Sequence, residues 1–174
     1  PVFTNGSIFG PLATSSTTIN SLYRRAMHLR RGTRISIYNT VFAGYPTGLD
    51  IDGQKGDSSA QATANALQIE NCVMAGMTAN YSTTYLTDVE AWYTTTSRNN
   101  QVMVTNDLLQ ITAPFTLASP NFLPVAGSPL LSGAAFTNTR LTDSFFTSVA
   151  YRGAFGTTNW TATWCNFDPQ NTDY

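Results

Sequence analysis

The chain of 174 residues is long enough for one domain with a hydrophobic core, and its formal net charge of −1 excludes the broad basic face of a nucleic-acid-binding protein. Charged residues make up only 11% of the sequence while Ser, Thr and Asn are abundant, which favours a β-rich extracellular protein over a helical one. No apolar run reaches membrane-spanning length, so we expect no membrane-spanning segment. The chain opens at Pro1 without a targeting signal, and we expect it to be part of a longer chain or assembly.

Three segments of the first half of the chain repeat one pattern, in which an asparagine stands five residues before a glycine. The asparagines are Asn5, Asn39 and Asn71, so the spacing is 34 and then 32 residues. Units of this size, made of short β runs between Gly, Asn and Pro turns, predict a parallel β-solenoid whose equivalent strands stack about 4.8 Å apart. The alternative is an antiparallel sandwich, but the two-residue hairpin turns typical of that fold are scarce.

Stacked coils would place Asn5, Asn39 and Asn71 in one column, and we predict a structural role for these residues. An inward asparagine at the bend between two strands tolerates a left-handed backbone. Its amide can also hydrogen-bond the asparagine of the next coil. The pattern therefore predicts an Asn ladder along the solenoid.

Five of the nine basic residues lie in the segment Tyr23–Arg34, just before the second repeat. Within it, Arg30 and Arg34 are candidates for binding acidic sugars through bidentate bonds between guanidinium and carboxylate groups. The alternative is a solvated arginine stack that pairs with acids on neighbouring coils. His28 is the only histidine of the chain, and we interpret it as a satisfied surface or core residue and not as a catalyst.

The predicted strand Gly48–Gly53 alternates, with Leu49 and Ile51 directed inward and Asp50 and Asp52 directed outward. The two aspartates are candidates for ligand binding, and a Gly-rich turn follows them. Calcium requires several converging oxygens, and at most three carboxylates are available here. We therefore favour a turn at the strand end over a calcium site, and we predict neither a metal nor another cofactor.

The segment Thr78–Val102 is polar and rich in hydroxyl groups, and we interpret it as a long lateral loop with a short helical turn at Asp88–Trp92. Tyr45 and Trp92 lie in or beside loops and are candidates for sugar binding, because exposed rings contact the apolar faces of sugars. The alternative is that these rings are buried anchors of the loops. A further strand is expected at Asn106–Thr112.

The two cysteines, Cys72 and Cys165, lack the spacing of a zinc site. Cys72 falls inside a repeated strand, where we expect a small buried thiol. A disulfide to Cys165 would require the C-terminal tail to fold back over that strand, and the sequence leaves this pairing open.

The segment Ser119–Phe136 resembles the closing coil of right-handed parallel β-helix proteins that Bacteroidota secrete or display at the cell surface. The tail Tyr151–Tyr174 resembles the segment that follows in a subset of them, with a Y-x-G-A-F-G phrase, paired tryptophans and an N-F-x-P phrase. The resemblance implies a right-handed parallel β-helix in a secreted or cell-surface context, with a role on or near polysaccharides. The residues of the closing coil that match are Phe122, Pro124, Gly127, Ser128, Pro129, Gly133 and Ala134.

The aromatic residues of the tail are expected to cap the solenoid. The last coil of a solenoid exposes unpaired strand edges, and large rings can cover them. We therefore assign Trp160 and Trp164, together with Phe155 and Phe167, a structural role in the cap. Stacking of a sugar on Trp160 or Trp164 is the alternative.

Together these patterns predict an all-β, right-handed parallel β-helix with residues 1–136 as its coils and residues 137–174 as a capping segment packed on the last coil. The leading function is a non-catalytic extracellular or cell-surface module that binds a polysaccharide or contacts a protein partner. No motif assigns a catalytic residue. One alternative is part of a polysaccharide lyase or hydrolase whose groove lies partly upstream, and another is a structural stalk or assembly subunit.

Overall fold

Three parallel β-sheets run through residues 2–103. Each of three successive coils contributes one strand to every sheet, and the strand Gln101–Met103 adds a fourth strand to one of them. The computed structural model describes residues 1–173. The strands are β1 (Val2–Thr4), β2 (Ser7–Phe9), β3 (Arg25–Leu29), β4 (Ser36–Tyr38), β5 (Val41–Ala43), β6 (Thr47–Ile51), β7 (Gln68–Glu70), β8 (Val73–Ala75), β9 (Ala79–Ser82) and β10 (Gln101–Met103). Sheet A has the order β1-β4-β7, sheet B the order β10-β8-β5-β2, and sheet C the order β3-β6-β9.

Equivalent strands of successive coils pair in register and in parallel. In sheet A, Phe3 lies beside Ile37, which in turn lies beside Ile69. The strands β2, β5 and β8 of sheet B pair in the same way. This arrangement is a parallel β-helix, so the predicted all-β solenoid is confirmed and the antiparallel sandwich is wrong for the coils.

The interior of the solenoid is filled by apolar residues from the strands of all three sheets. Ile37 and Ile69 from sheet A, Phe42 and Met74 from sheet B, and Leu49 from sheet C share a single buried cluster. Alternation along the strands explains the pattern, because successive side chains of a strand point to opposite faces of the sheet. The predicted inward direction of Leu49 and Ile51 is confirmed, since both residues are fully buried in this cluster.

Sheet B is apolar on both faces. Its outward residues Val41, Ala43 and Val73 are fully buried in a second cluster, where Leu109 and Leu130 cover them. A strand that is buried on both faces has consecutive apolar residues, whereas a strand with one exposed face alternates apolar and polar residues. The part of the chain beyond the coils therefore packs against the outside of the solenoid.

The three repeated asparagines all adopt the left-handed backbone, with φ of 54° at Asn5, 50° at Asn39 and 57° at Asn71. The predicted ladder between their amides is wrong. The Nδ2 of Asn39 donates to the carbonyl of Ala135 at 3.1 Å, and the N–H of Ala135 donates back to Oδ1 at 3.0 Å. The Nδ2 of Asn5 donates to the carbonyl of Tyr151 at 2.9 Å. The amides of Asn5 and Asn39 thus hold the C-terminal segment against the coils.

Two short helices lie in the connections between the coils, α1 (Ser58–Thr63) and α2 (Val89–Thr94). The side chain of Asp57 caps α1 by accepting from the N–H of Ala60 at 2.8 Å. The segment Thr78–Val102, predicted as a lateral loop with a helical turn, contains α2. It also contains the strand β9, which the sequence did not predict. No helix within residues 1–173 is long and apolar enough to span a membrane.

The coils end earlier than predicted, because the strands after Met103 are no longer parallel. A 3-10 helix (Asn106–Leu109) occupies much of the stretch expected to be a strand, and β11 (Ile111–Ala113) then pairs antiparallel with β12 (Asn121–Pro124). Residues 104–136 are therefore not coils of the helix. Further 3-10 helices are Thr96–Arg98, Pro129–Leu131, Thr139–Leu141 and Pro169–Asn171.

The segment predicted as a cap on the last coil contacts more than that coil. The described residues from 137 onward run beside the solenoid and contact all three coils. The Nδ2 of Asn138 donates to Glu70 on the third coil at 3.0 Å, the N–H of Gly153 donates to Asn39 on the second at 2.7 Å, and the N–H of Ala154 donates to Ser7 on the first at 2.9 Å.

Replacing Asn39 with Ala should destabilise the fold by about 3 kcal/mol, because the substitution deletes the buried bonds to Ala135 and leaves Ala at a positive φ. Asn39→Gly tolerates the backbone and should cost about 1 kcal/mol less. The measurement is the free energy of unfolding in urea. Asn65→Ala is the matched control, because Asn65 is exposed and has a φ of 55°. Equal losses for Asn39→Ala and Asn65→Ala would contradict the role of the side-chain bonds.

Candidate functional site

A cluster of charged side chains lies on the outer face of sheet C. His28 of β3 and Asp50 of β6 are directly in register, which places them side by side. Asp52 lies two residues further along and therefore on the same face, and its N–H donates to the carbonyl of Leu29 at 2.8 Å. The outward direction predicted for the two aspartates brings them to this shared surface.

Both carboxylates of the cluster are paired with cationic or imidazole groups. The Nε of Arg25 lies 2.6 Å from Oδ2 of Asp50. The Nε2 of His28 lies 2.9 Å from Oδ2 of Asp52 and 3.8 Å from Oδ2 of Asp50. Asp50 is only 2% exposed and Asp52 only 6% exposed, so the partners cover the acids. His28 is thus satisfied by Asp52 in this structure.

The electrostatics of the cluster favour the charged form of Asp52. The backbone N–H of Gln54 donates to its Oδ1 at 2.7 Å, and His28 bonds the other oxygen. These two hydrogen bonds hold the pKa of Asp52 below its ordinary value, and the bond from the backbone of Gln54 has the larger effect. The charge of Arg30 also lowers this pKa. The Oδ1 of Asp50 is buried and has no hydrogen-bond partner among the described residues.

The carboxylates do not fit a calcium ion. Three of the four carboxylate oxygens are occupied by Arg25, His28 and the backbone of Gln54, which leaves only Oδ1 of Asp50. Calcium takes six to eight oxygens, and a guanidinium beside Asp50 repels a cation. Within residues 1–173, no group of three or more His, Cys, Asp or Glu side chains is arranged to hold a metal.

The two predicted arginine candidates contribute unequally to this surface. Arg30 follows β3 and acts on Asp52 through its charge, and its buried Nε has no hydrogen-bond partner in the described part of the chain. Arg34 is exposed in the turn before β4 and makes no ion pair with any described residue. Arg25, which the sequence interpretation did not single out, provides the contact with Asp50.

The two predicted aromatic candidates, Tyr45 and Trp92, are held by contacts within the protein. The ring of Tyr45 packs over Gly10, where an added Cβ would come within 2.6 Å of it, and burial raises the pKa of the phenol. The indole N–H of Trp92 donates to the carbonyl of Ala62 at 3.0 Å, and the guanidinium of Arg98 lies 4.1 Å from the ring centroid. These contacts fit the alternative of anchoring rings.

Cys72 is unsuited to nucleophilic chemistry. It is fully buried inside the solenoid, and desolvation raises the pKa of its thiol to about 12. The predicted small buried thiol is confirmed. Both cysteines are free, so Cys72 and Cys165 do not form a disulfide in this structure.

A second candidate surface is a column of stacked aromatic rings, which we call the aromatic column. It begins on the outer face of sheet B and extends into the C-terminal tail, with successive ring centroids 5.4, 5.3, 5.2 and 5.8 Å apart. The sequence interpretation grouped the tail rings as a cap but missed the two inner members. The column consists of Phe9, Phe122, Phe155, Trp160 and Trp164.

The end of the aromatic column borders an open cleft of about 590 Å³. Trp164 is 69% exposed, and amide and hydroxyl side chains make up much of the surrounding wall. The inner rings fill space against the coils, whereas Trp164 faces the cleft. The same column therefore has a packed structural end and a solvent-facing end.

Comparison with known proteins gives one match. Residues 1–113 match the family model described as a pectate-lyase like beta helix domain, which covers all three parallel coils and the first strand of the antiparallel pair. No curated protein and no solved structure matches the chain. Residues 114–174, which supply most of the aromatic column, lie outside the matched region.

Replacing Asp52 with Asn should flatten the loss of stability in acid. Because the pKa of Asp52 is lower in the folded chain than its ordinary value of 3.8, the carboxylate stabilises the fold above that pH and the contribution is lost as the pH falls through the lowered pKa. The Tm of the wild type should therefore fall more steeply than that of Asp52→Asn between about pH 5 and about pH 2.

The matched control for this measurement is Asp88→Asn. Asp88 is exposed and its side chain makes no capping hydrogen bond to α2, so its Tm profile should follow that of the wild type. Parallel profiles for wild type and Asp52→Asn would show that the bonds from Gln54 and His28 do not favour the charged form.

Proposed function

We propose, from the premise that the chain belongs to the pectate-lyase-like β-helix family, that it is a non-catalytic extracellular module that binds carbohydrate. The family description supports a carbohydrate-related role, and domains of this kind are usually extracellular. The composition agrees with that setting, since the surface relies on hydroxyl and amide groups with few charges. A polysaccharide is the partner that we propose, with no resident cofactor.

The observation that carries the non-catalytic part of the proposal is the burial of Asp50 and Asp52 beneath their partners. A general acid or base must come within hydrogen-bond reach of the atom it serves. Here Arg25 and His28 lie between the acids and solvent, and the carboxylates are 2% and 6% exposed. A pair of carboxyl groups that flanks a glycosidic bond needs room for the sugar between them, and this cluster has none.

A second candidate function is a polysaccharide lyase or hydrolase, and one feature favours it. The side chain of His28 is 31% exposed, and its Nε2 is bonded to Asp52 at 2.9 Å. A carboxylate that orients an imidazole in this way is a common arrangement for a general base. In such an enzyme His28 would exchange the proton and Asp52 would be a positioning residue.

The chain should be retained by at least one polysaccharide and should release no product from any of them. Retention is measured by affinity gel electrophoresis and by pull-down over a panel of polygalacturonate, xylan, β-glucan and mannan. Release is measured on the same samples as new reducing ends and as the ultraviolet absorbance of unsaturated uronates. Because the acids are covered, incubation should leave chain length unchanged.

The control for this experiment is His28→Asn, which removes the only histidine. Under the proposal, the polysaccharides retain wild type and His28→Asn equally, and neither protein releases any product. Product release by wild type that His28→Asn abolishes would establish the enzymatic alternative. Failure of every polysaccharide in the panel to retain the wild type would overturn the proposed function.

A further inference from the structure

The orientation of Trp164 is fixed by contacts on one side only. Its ring stacks on Trp160 with centroids 5.8 Å apart and an interplanar angle of 26°. Its indole N–H donates to the carbonyl of Trp160 at 2.6 Å, so the polar edge of the ring is also occupied. Within residues 1–173, no other ring stacks on Trp164. The opposite face is therefore a flat apolar surface that is held in place and open to solvent.

Trp160 in turn is fixed by the layer beneath it. Its ring lies 5.2 Å from Phe155 at an angle of 12°, and its indole N–H donates to the carbonyl of Ala154 at 2.9 Å. Phe155 is buried, and its ring lies 5.3 Å from that of Phe122 at an angle of 31°. The exposed face of Trp164 thus rests on a chain of contacts that reaches a strand of the solenoid, and little ordering is needed when a ligand arrives.

The cleft beside Trp164 carries hydrogen-bonding groups that the protein itself does not use. Asn159 accepts from Thr161 through Oδ1, and Asn121 accepts from the N–H of Leu123 through Oδ1. In the part of the chain that the structure describes, the side-chain NH2 groups of Asn121 and Asn159 donate no hydrogen bond. Both residues line the cleft, so their side-chain NH2 groups are candidate donors to a bound molecule.

No charged side chain lines the cleft among the described residues. A uronate carboxylate entering here would lose hydration without gaining a guanidinium or ammonium partner, which is unfavourable. A neutral sugar carries no such cost, and its hydroxyl oxygens can accept from the amide donors. The chemistry of the wall therefore selects an uncharged glycan over an acidic one.

We propose that the exposed face of Trp164 and the amides of Asn121 and Asn159 form a binding site for a neutral β-linked glycan of the glucan or xylan type. Pyranose rings whose hydroxyl groups are all equatorial present a flat face of C–H groups, which packs on an indole ring. The hydroxyl groups at the rim of the sugar then meet the amides of the cleft. This inference rests on the proposed function and names the site at which the module binds.

The test is isothermal titration calorimetry with cellohexaose, xylohexaose and a hexagalacturonate. Wild type should bind one of the neutral oligosaccharides, and it should bind the hexagalacturonate at least tenfold more weakly. Trp164→Ala should weaken binding of the neutral ligand at least tenfold, because the stacking surface is lost. Trp164→Phe should keep part of the affinity, since a smaller flat ring remains.

The matched control is Phe145→Ala. Phe145 is 83% exposed and belongs to the same C-terminal segment, but it does not line the cleft. Its removal should leave the affinity within twofold of wild type. Circular dichroism and Tm measurements on both variants check that the fold is retained. An equal loss of affinity in Trp164→Ala and Phe145→Ala would overturn the assignment of the site.

A second variant tests the polar part of the site while the local structure is kept. Asn159→Asp retains the acceptor for Thr161 but replaces the NH2 donor with a charged oxygen. It should weaken binding of the neutral ligand about threefold or more, which corresponds to about 0.6 kcal/mol. Unchanged affinity in both Trp164→Ala and Asn159→Asp would overturn this proposal.

The two proposals fail in different ways. If no polysaccharide of the panel retains the wild type, the proposed function and this site are both overturned. If wild type binds a polysaccharide and Trp164→Ala binds it equally well, only the site is overturned. A preference of the wild type for the hexagalacturonate over both neutral ligands would overturn the selection for an uncharged glycan.

Discussion

Backbone hydrogen bonding between successive coils, at the corner where sheet A turns into sheet B, sets the position of almost everything else. At this corner Asn5, Asn39 and Asn71 take a left-handed backbone, and the N–H of Asn39 still donates to Glu70 of the next coil at 3.1 Å. Because asparagine tolerates this conformation better than most residues and carries an amide, the corner becomes a row of donors and acceptors. The C-terminal segment binds to that row through Ala135 and Tyr151, and the aromatic column depends on its position.

The sequence revealed the coils because the asparagine corner repeats at 34 and 32 residues, but it concealed the charged cluster. Residues 10–24 form an insertion between β2 and β3 of the first coil. The register partners His28 and Asp50 are therefore only 22 residues apart, so the repeat does not reveal the pairing of β3 with β6. Arg25 was missed for the same reason. A cross-coil ion pair can be predicted only when the length of every connection in the coil is known.

The boundary between coils and the C-terminal segment illustrates a second limit of sequence reasoning. The repeated runs of β5 and β8 are apolar on consecutive residues, a pattern typical of strands buried on both faces. Nothing local shows which segment provides the outer cover, since Leu109 and Leu130 reach Val41 and Val73 from far along the chain. The match of an asparagine amide to a distant carbonyl, as in Asn39 and Ala135, is equally invisible until the fold is known.

The two candidate surfaces differ in how their polar side chains are bonded, and this difference is the reason for proposing the cleft and not sheet C as the binding site. On sheet C the charges neutralise one another, and a buried ion pair resists the intrusion of a ligand because removing one partner leaves an uncompensated charge. In the cleft the side-chain NH2 groups of Asn121 and Asn159 are neutral and donate to no residue that the structure describes, which is the basis for proposing that a sugar hydroxyl replaces water there at little cost. The cleft that we propose as the glycan site is therefore lined by residues outside the family match, and it lies beside the coils and not on them.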